Sequence, residues 1–265
     1  MAWTRRDFVK ASALAVPAAA VSSTASAQQG GAPAAPAAAP PAPAVFTPLR
    51  RNIDVLINSH HHPDHTGGNG VLRPAAKQIV AHVRSKENQR AAAERSKTEV
   101  TLPDVTFPET WSVTLGDETV RARHWGPAHT GGDASIHFEQ ANVVHLGDLL
   151  NNRGYPNVDA PAGASVHGWI RVLEQMAPAY PADALYVYGH AEAGHPFIGT
   201  RPDLLYQRDY FTAVIEYAGR ARKEGRPKED LAKVEVLPRF EHFGGIKSRL
   251  GLALTIAYDE LAKMG

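Results

Sequence analysis

The sequence predicts a layered α/β fold for most of the chain. Short apolar runs of strand type occupy its middle, helical patterns separate them, and further helical patterns fill the C-terminal part. This alternation is typical of sheets that are covered by helices. A hydrophobic content of 43% is enough for a core and excludes general disorder, and residues 45–265 contain no internal repeat.

The strands are predicted from short runs of apolar and β-branched residues. They lie at 53–58, 78–82, 111–115, 119–125, 134–138, 142–146 and 185–188. Gly116 and Asp117 stand between the third and the fourth run, and this dipeptide is typical of a hairpin turn.

The helices are predicted from composition and from apolar residues that repeat on one face. They lie at 83–97, 164–176, 203–223, 228–235 and 247–263. The segment 83–97 is rich in Ala, Arg, Glu and Lys, and the last helix has Leu250, Leu254 and Leu261 on one face.

Residues 1–27 resemble a bacterial twin-arginine export signal. Its parts occur in the expected order: paired arginines, a weakly apolar run and a small-residue cleavage signature (Arg5-Arg6, 11–21 and Ala25-Ser26-Ala27). The resemblance implies export to the periplasm and removal of the signal, which leaves no stable membrane anchor. An N-terminal helix with incidental arginines is the alternative interpretation.

Residues 28–44 are predicted to form an Ala/Pro-rich, disordered linker, because closely spaced prolines prevent helix and sheet formation. The domain therefore occupies residues 45–265.

The chain has 28 basic and 27 acidic residues, and loss of the signal changes the formal net charge from +1 to −1. Such a balance argues against a nucleic-acid partner. The absence of cysteine excludes disulfides, thiolate metal ligands and a thiol nucleophile.

The densest cluster of metal-ligand side chains is the segment 58–69. Three consecutive histidines there are followed by a proline turn, Asp64 and His65. In an extended segment, residues two apart project to the same side, so His60 and His62 can hold one ion while Asp64 and His65 reach a second. Imidazole and carboxylate ligands favour a borderline divalent ion such as zinc. For this segment alone, a solvated histidine-rich loop is the alternative.

Three further predicted strands end close to a metal-ligand side chain. His129 lies in a glycine-rich loop between two strands, one strand ends in Gly-Asp at Asp148, and another ends in Gly-His at His190. Because sites of sheet proteins form at strand ends, the sequence predicts that these segments converge on one metal centre.

The motif order from His60 to His190 resembles that of the metallo-β-lactamase superfamily, over about residues 53–200, and the triple histidine resembles its glyoxalase II-type branch. The resemblance implies an αββα four-layer sandwich with two zinc ions at one edge. It implies that His60, His62 and His129 bind the first ion. The second ion would be bound by Asp64, His65 and His190, and Asp148 would bind both ions. A histidine at position 62, where the flavodiiron branch has glutamate, favours hydrolysis over oxygen reduction.

The resemblance therefore implies a dinuclear zinc hydrolase that cleaves a small-molecule ester, thioester or lactam. Two zinc ions in such a site supply hydroxide at neutral pH. By analogy with the family, Asp64 also has a catalytic role, accepting a proton from the attacking water. The oligomeric state stays open.

The segment before the first histidine motif is short for this superfamily. Its members have several strands and a helix there, and the sequence between the linker and residue 53 has no room for them. We therefore expect part of the N-terminal sheet to be missing, through an internal deletion, a gene-model error, or replacement by strands of a partner chain. A truncated, weakly active or non-catalytic metal-binding remnant of the fold is the alternative function.

Other polar residues near the motifs are candidates for supporting roles. Asp133 and Asn69 are expected to orient ligand imidazoles, because metal-bound histidines usually donate their other N–H to an acceptor. His61, which projects away from its two neighbours, is expected to be structural. Residues 153–157 are expected to form a surface loop, with contact to the substrate as the alternative.

Overall fold

The first sheet of the protein contains three short parallel strands. The computed structural model describes residues 52–264, so the predicted signal and linker lie outside the described residues. The strands are β1 (Leu56–Ile57), β2 (Ile79–His82) and β3 (Val105–Phe107), in the order β1-β2-β3. β1 pairs with β2 in the register Leu56↔Ile79. The expectation that part of this sheet is missing stays a prediction, because the residues before β1 are largely outside the described range.

Three helices accompany this sheet. Two are single turns, α1 (Pro63–Thr66) and α2 (Asn69–Leu72), and the third is α3 (Val83–Ser96). α3 matches the predicted helix 83–97 and contacts β2 and β3. The two short helices were not predicted, because four residues are too few to show a helical period.

The second sheet contains six strands in the order β11-β9-β7-β6-β5-β4. These are β4 (Thr110–Leu115), β5 (Glu118–Arg123), β6 (Ser135–Phe138), β7 (Val143–His145), β9 (Leu185–Val187) and β11 (Ile198–Gly199). The predicted hairpin at Gly116-Asp117 joins β4 to β5, and Gly116 has the positive φ of 67° that such a turn requires. A separate parallel pair, β8 (Asn151–Asn152) and β10 (His190–Ala191), lies outside this sheet.

The C-terminal helices are α4 (Val166–Ala179), α5 (Arg201–Lys223), α6 (Lys228–Leu231) and α7 (Ser248–Met264). Ser165 caps α4 by accepting from the N–H of Gly168, and Thr200 and Asp203 form a capping box at α5. The predicted helix at 228–235 is shorter than expected, because the chain turns away after Leu231.

Two apolar cores arrange these elements in four layers. One core contains Val80 and Phe107 of the first sheet with Val120 and Ile136 of the second, so the two sheets pack face to face. The larger core joins the second sheet to the C-terminal helices, and its largest fully buried side chains include Trp169, Tyr186 and Phe211. With α3 against the first sheet, the order of layers is α, β, β, α, which confirms the predicted sandwich.

Candidate metal centre

The loops that follow the strands bring all seven sequence-predicted ligand residues together. His60 and His62 follow β1, and Asp64 and His65 lie on α1. His129 lies in the loop after β5, and Asp148 lies in a 3-10 turn after β7. His190 is the first residue of β10. Their ligand atoms form two adjoining groups, and within each group the atoms lie within 4.8 Å of one another.

Three imidazoles and a carboxylate make up the first group: His60, His62, His129 and Asp148. The Nδ1 atom of His62 lies 3.0 Å from Nε2 of His60 and 2.9 Å from Nε2 of His129. Asp148 Oδ2 lies 3.5 Å from the same nitrogen of His129. His60 and His129 are almost completely buried, so their rings are held in place by packing.

The outer hydrogen bonds of two of these rings determine which nitrogen carries the proton. His129 Nδ1 lies 2.8 Å from the carbonyl oxygen of Asn157, and because a carbonyl only accepts, Nδ1 donates and Nε2 carries a lone pair. In the neutral form that a metal ligand requires, His62 Nε2 donates to the Asp159 carboxylate over 2.9 Å and Nδ1 keeps a lone pair. Two lone pairs that face each other at 2.9 Å repel, and a cation between them removes the repulsion. The first group therefore fits a metal ion.

The second group contains Asp64, His65 and His190. Asp64 Oδ2 lies 3.0 Å from Nε2 of His190 and 3.4 Å from Nε2 of His65. This group is more open than the first, since about half of the Asp64 side chain and about half of the His190 side chain are exposed (50% and 47%). Small solutes can therefore reach it from solvent.

Asp148 lies between the two groups. Its Oδ1 is 2.9 Å from Nε2 of His65, and its Oδ2 is 3.3 Å from Nε2 of His190 and 4.0 Å from Nε2 of His60. One carboxylate thus contacts histidines of both groups. This is the position that a residue shared by two ions must occupy.

Two glycines allow Asp148 to take this position. Gly147 has a φ of +52°, in the left-handed region that glycine favours, and this bend places the following carboxylate toward the centre. Gly189 packs directly against the turn: a Cβ there would lie 2.1 Å from Asp148 Oδ1 and 2.7 Å from the Gly147 carbonyl carbon. The Gly-Asp and Gly-His dipeptides at the two strand ends therefore fit against each other.

Burial and charge set the protonation states that ligands require. Burial lowers the pKa of His60 well below its usual value and that of His129 to about 4, so both imidazoles are neutral at pH 7. Burial acts to raise the pKa of Asp148, but the hydrogen bonds from His190 and His65 outweigh it and bring the pKa far below its usual value. The hydrogen bond from His190 is the main reason that the pKa of Asp64 is also lowered.

The two histidines of the second group are protonated in the absence of a metal. Hydrogen bonds to Asp148 and Asp64 raise the pKa of His190 to about 10. Burial lowers the pKa of His65, but hydrogen bonds to the same two carboxylates outweigh it and raise the pKa to about 9. Two imidazolium ions beside two carboxylates can exchange their protons for a divalent cation, as metal binding to histidine requires. The second group therefore also fits a metal ion.

Asp159 is the supporting residue that the sequence analysis missed. Its Oδ2 accepts from Nε2 of His62 at 2.9 Å and lies 3.4 Å from Nε2 of His61. It belongs to no motif and lies 97 residues from His62 in the sequence, so spacing gave no signal for it. His61 is buried against this carboxylate, which agrees with the structural role expected for it.

Two residues expected to orient imidazoles bond elsewhere. Asn69 exchanges two side-chain hydrogen bonds of 2.9 Å with Asn58 and so closes the base of the histidine loop. Asp133 accepts from the backbone N–H and the hydroxyl of Thr130 and so shapes the loop of His129. Both predictions were wrong in detail, because each side chain finds a closer partner within its own loop.

The segment 153–157 supports the candidate metal centre through a hydrogen bond to one of its ligand histidines. The Asn157 carbonyl accepts from His129, Tyr155 is buried in the larger core, and the Arg153 guanidinium stacks 3.8 Å above the ring centre of Tyr206. The expectation of a plain surface loop was therefore wrong for Tyr155.

Comparison with known proteins agrees with this geometry. A family model described as the Metallo-beta-lactamase superfamily matches residues 36–193, more than half of the chain. The chain belongs to the metallo-β-lactamase superfamily. Among curated relatives in this superfamily, a hydroxyacylglutathione hydrolase of Cereibacter sphaeroides is 30% identical over 183 residues, which are 65% of this chain and 61% of the relative. A metallo-beta-lactamase type 2 of Bacteroides fragilis is 21% identical over 146 residues, which are 55% and 56% of the two chains.

The chain thus spans about three fifths of the length of the metallo-β-lactamase superfamily relatives that it matches. Among solved structures, a metallo-beta-lactamase from Pontibacter korlensis is similar with a TM-score of 0.49 at 20% identity, covering 60% of this chain and 69% of the other. Within residues 52–264, no helix is both long enough and apolar enough to cross a membrane.

Proposed function

We propose that this protein is an exported metal-dependent hydrolase that uses two zinc ions to cleave a small-molecule ester, thioester or lactam. The observation that carries the proposal is the convergence of seven histidine and aspartate side chains in two adjoining groups that share Asp148. Its membership of a superfamily whose matched relatives are a hydroxyacylglutathione hydrolase and a metallo-beta-lactamase supports hydrolysis.

The residues of the first group would hold one ion and position it rigidly. His60 and His129 present their lone pairs from buried rings and His62 from a partly buried one, and Asp159 and the Asn157 carbonyl fix the tautomers of His62 and His129. Rigid ligands favour catalysis because a small displacement of the reacting groups costs much of the rate.

The residues of the second group face solvent and would meet the substrate. Asp64, His65 and His190 would hold the second ion together with Asp148. Zinc bound at the two groups would supply a hydroxide nucleophile at neutral pH and would polarise the scissile carbonyl. By analogy with the family, Asp64 would accept the proton of the attacking water through its half-exposed carboxylate.

Metal content and hydrolysis test this proposal together. Purified protein would be saturated with zinc, analysed for metal by mass spectrometry, and assayed on a cephalosporin, a thioester and an aryl ester. We expect close to two ions per chain and turnover of at least one substrate class. Less than one ion per chain under zinc-replete conditions contradicts the proposal.

A pair of histidine variants localises the activity. His129→Ala is expected to abolish turnover, whereas His242→Ala, at an exposed histidine outside both groups, is expected to leave it unchanged. Activity that survives His129→Ala means that the site is wrongly assigned. A non-cooperative thermal transition that zinc does not shift supports a non-catalytic remnant instead.

Export is tested separately. The proposed twin-arginine signal requires both arginines, so replacing Arg5 and Arg6 with lysine is expected to retain the protein in the cytoplasm of a bacterial host. Periplasmic fractions that contain equal amounts of the variant and the unchanged protein contradict this route.

A further inference from the structure

The hydroxyl of Ser59 contacts one histidine from each of the two metal-ligand groups. Its Oγ lies 3.2 Å from Nδ1 of His60, in the first group, and 3.4 Å from Nδ1 of His65, in the second. Ser59 is only 5% exposed, so both contacts are largely sheltered from water. Nothing in the proposed hydrolysis uses this side chain.

The rings of His60 and His65 lie between Ser59 and Asp148. Their centres are 4.1 Å apart. Nε2 of His65 lies 2.9 Å from Asp148 Oδ1, and Nε2 of His60 lies 4.0 Å from Asp148 Oδ2. Each imidazole therefore directs Nε2 toward the shared carboxylate and Nδ1 toward the shared hydroxyl.

This orientation decides where each ring carries its proton when Nε2 binds a metal. A neutral imidazole has one N–H, so a ring that binds zinc through Nε2 carries the proton on Nδ1. Each Nδ1–H then needs an acceptor, and Ser59 Oγ lies within hydrogen-bonding distance of both. A hydroxyl oxygen has two lone pairs and can accept from both N–H groups at once.

The surrounding backbone holds the Ser59 side chain in this place. Gly147, which directly precedes Asp148, packs against it: a Cβ on Gly147 would lie 2.6 Å from Ser59 Oγ and 2.7 Å from Ser59 Cβ. On the other side, the Ser59 carbonyl accepts from the N–H of Ala134 over 2.8 Å. The turn that carries the shared carboxylate therefore also packs against the shared hydroxyl.

We propose that Ser59 is a positioning residue for both ions of the candidate metal centre. Its oxygen accepts from Nδ1–H of His60 and of His65, and so holds both rings with Nε2 directed toward Asp148. The role rests on the two-ion site of the proposed function and adds a second residue, besides Asp148, that serves both groups. The Asp159 carboxylate, by contrast, supports His62 of the first group.

Competition with zinc chelators of graded affinity tests this role, because it measures the two binding steps without reference to turnover. Ser59→Ala is expected to weaken zinc binding at both groups by about tenfold or more, although no ligand is removed. Ser85→Ala is the matched control, since Ser85 is also buried and its hydroxyl pairs with Gln89. The control is expected to bind both ions like the unchanged protein.

The outcomes separate this role from the proposed function. Fewer than two ions in the unchanged protein contradict the two-ion site and, with it, the role of Ser59. Two ions that Ser59→Ala binds as tightly as the unchanged protein overturn the role of Ser59 alone, and so does weakening at one group only. Equal weakening in Ser85→Ala also overturns it, because the loss would then follow from removing any buried hydroxyl.

NMR of the zinc-loaded protein with ¹⁵N-labelled histidine distinguishes hydrogen bonding from packing. In the unchanged protein we expect protected Nδ1–H signals from both His60 and His65, since each proton is bonded to Ser59. In Ser59→Ala both signals should shift or broaden through exchange with water. The Nδ1–H of His129, which donates to the Asn157 carbonyl, should stay in place as an internal control. Signals of His60 and His65 that Ser59→Ala leaves unchanged overturn the proposal.

Discussion

The carboxylate of Asp159 lies 2.9 Å from Nε2 of His62, on the side of the ring that faces away from the other ligands. This contact fixes the proton on Nε2 and directs the Nδ1 lone pair toward His60 and His129. Asp159 therefore determines how His62 takes part in the first group, although it belongs to no sequence motif.

Removing Asp159 is expected to weaken metal binding without removing a ligand. In the Asp159→Ala variant, His62 loses the acceptor that holds its tautomer, and such losses typically lower metal affinity by about 10–100-fold. Competition with a zinc chelator measures the affinity. Asp209→Ala, at an exposed aspartate paired with Arg208, is the control and should bind zinc like the unchanged protein. Equal affinities for all three proteins would show that Asp159 does not support the site.

The two groups are expected to lose their ions separately. His129→Ala removes a buried ligand of the first group only, and His190→Ala removes a half-exposed ligand of the second group only. Each variant should retain about one zinc ion per chain after dialysis, and Asp148→Asn should retain less than either because both groups share this residue. Metal analysis after dialysis measures this, and unchanged zinc content in the Asp148→Asn variant would contradict a shared ligand.

Gly189→Ala is expected to disrupt the centre through steric overlap. Its added methyl group would lie 2.1 Å from Asp148 Oδ1, so the carboxylate must move away from both groups. We expect reduced zinc content, and a loss of stability of about 1–3 kcal/mol as in other overpacked sites. Gly154→Ala is the matched control, because no atom lies within 4 Å of its added Cβ. A Gly189→Ala variant with full zinc content and unchanged stability would refute this packing.

Asp133 is expected to make stability depend on pH. Burial raises its pKa to about 7 from the usual value near 3.8, although the hydrogen bonds from Thr130 oppose this. Because the folded state holds the proton more tightly than the unfolded state, its favourable contribution is complete below about pH 4 and is lost as the pH rises through 7. Relative to the unchanged protein, Asp133→Asn should therefore gain stability with rising pH, by up to about 4 kcal/mol.

Urea unfolding of the two metal-free proteins at several pH values between 4 and 8 measures this difference. Asp209→Asn serves as the control, since an exposed aspartate should give no such slope. A constant difference between Asp133→Asn and the unchanged protein across this range would mean that Asp133 titrates normally.

The sequence alone was sufficient for a layered α/β fold and for the seven candidate ligands, and the resemblance to the superfamily supplied the αββα order. Strand periodicity and the Gly-Asp and Gly-His endings are local signals, and strand ends meet at one edge of a sheet whatever the details of packing. The strands β3, β8, β10 and β11 were missed, because their two or three residues do not belong to a longer apolar run of the kind that contains β1, β7 and β9.

Tertiary packing alone decided which residues support the ligands. The contact between Asp159 and His62 and the hydrogen bond from His129 to the Asn157 carbonyl join residues that lie far apart in the chain. Asn69 and Asp133 were expected to orient imidazoles and instead bond Asn58 and Thr130. The physical reason is the range of the interactions: ligand spacing follows from the geometry of one segment, whereas a supporting hydrogen bond depends on the paths of two loops that the whole core positions.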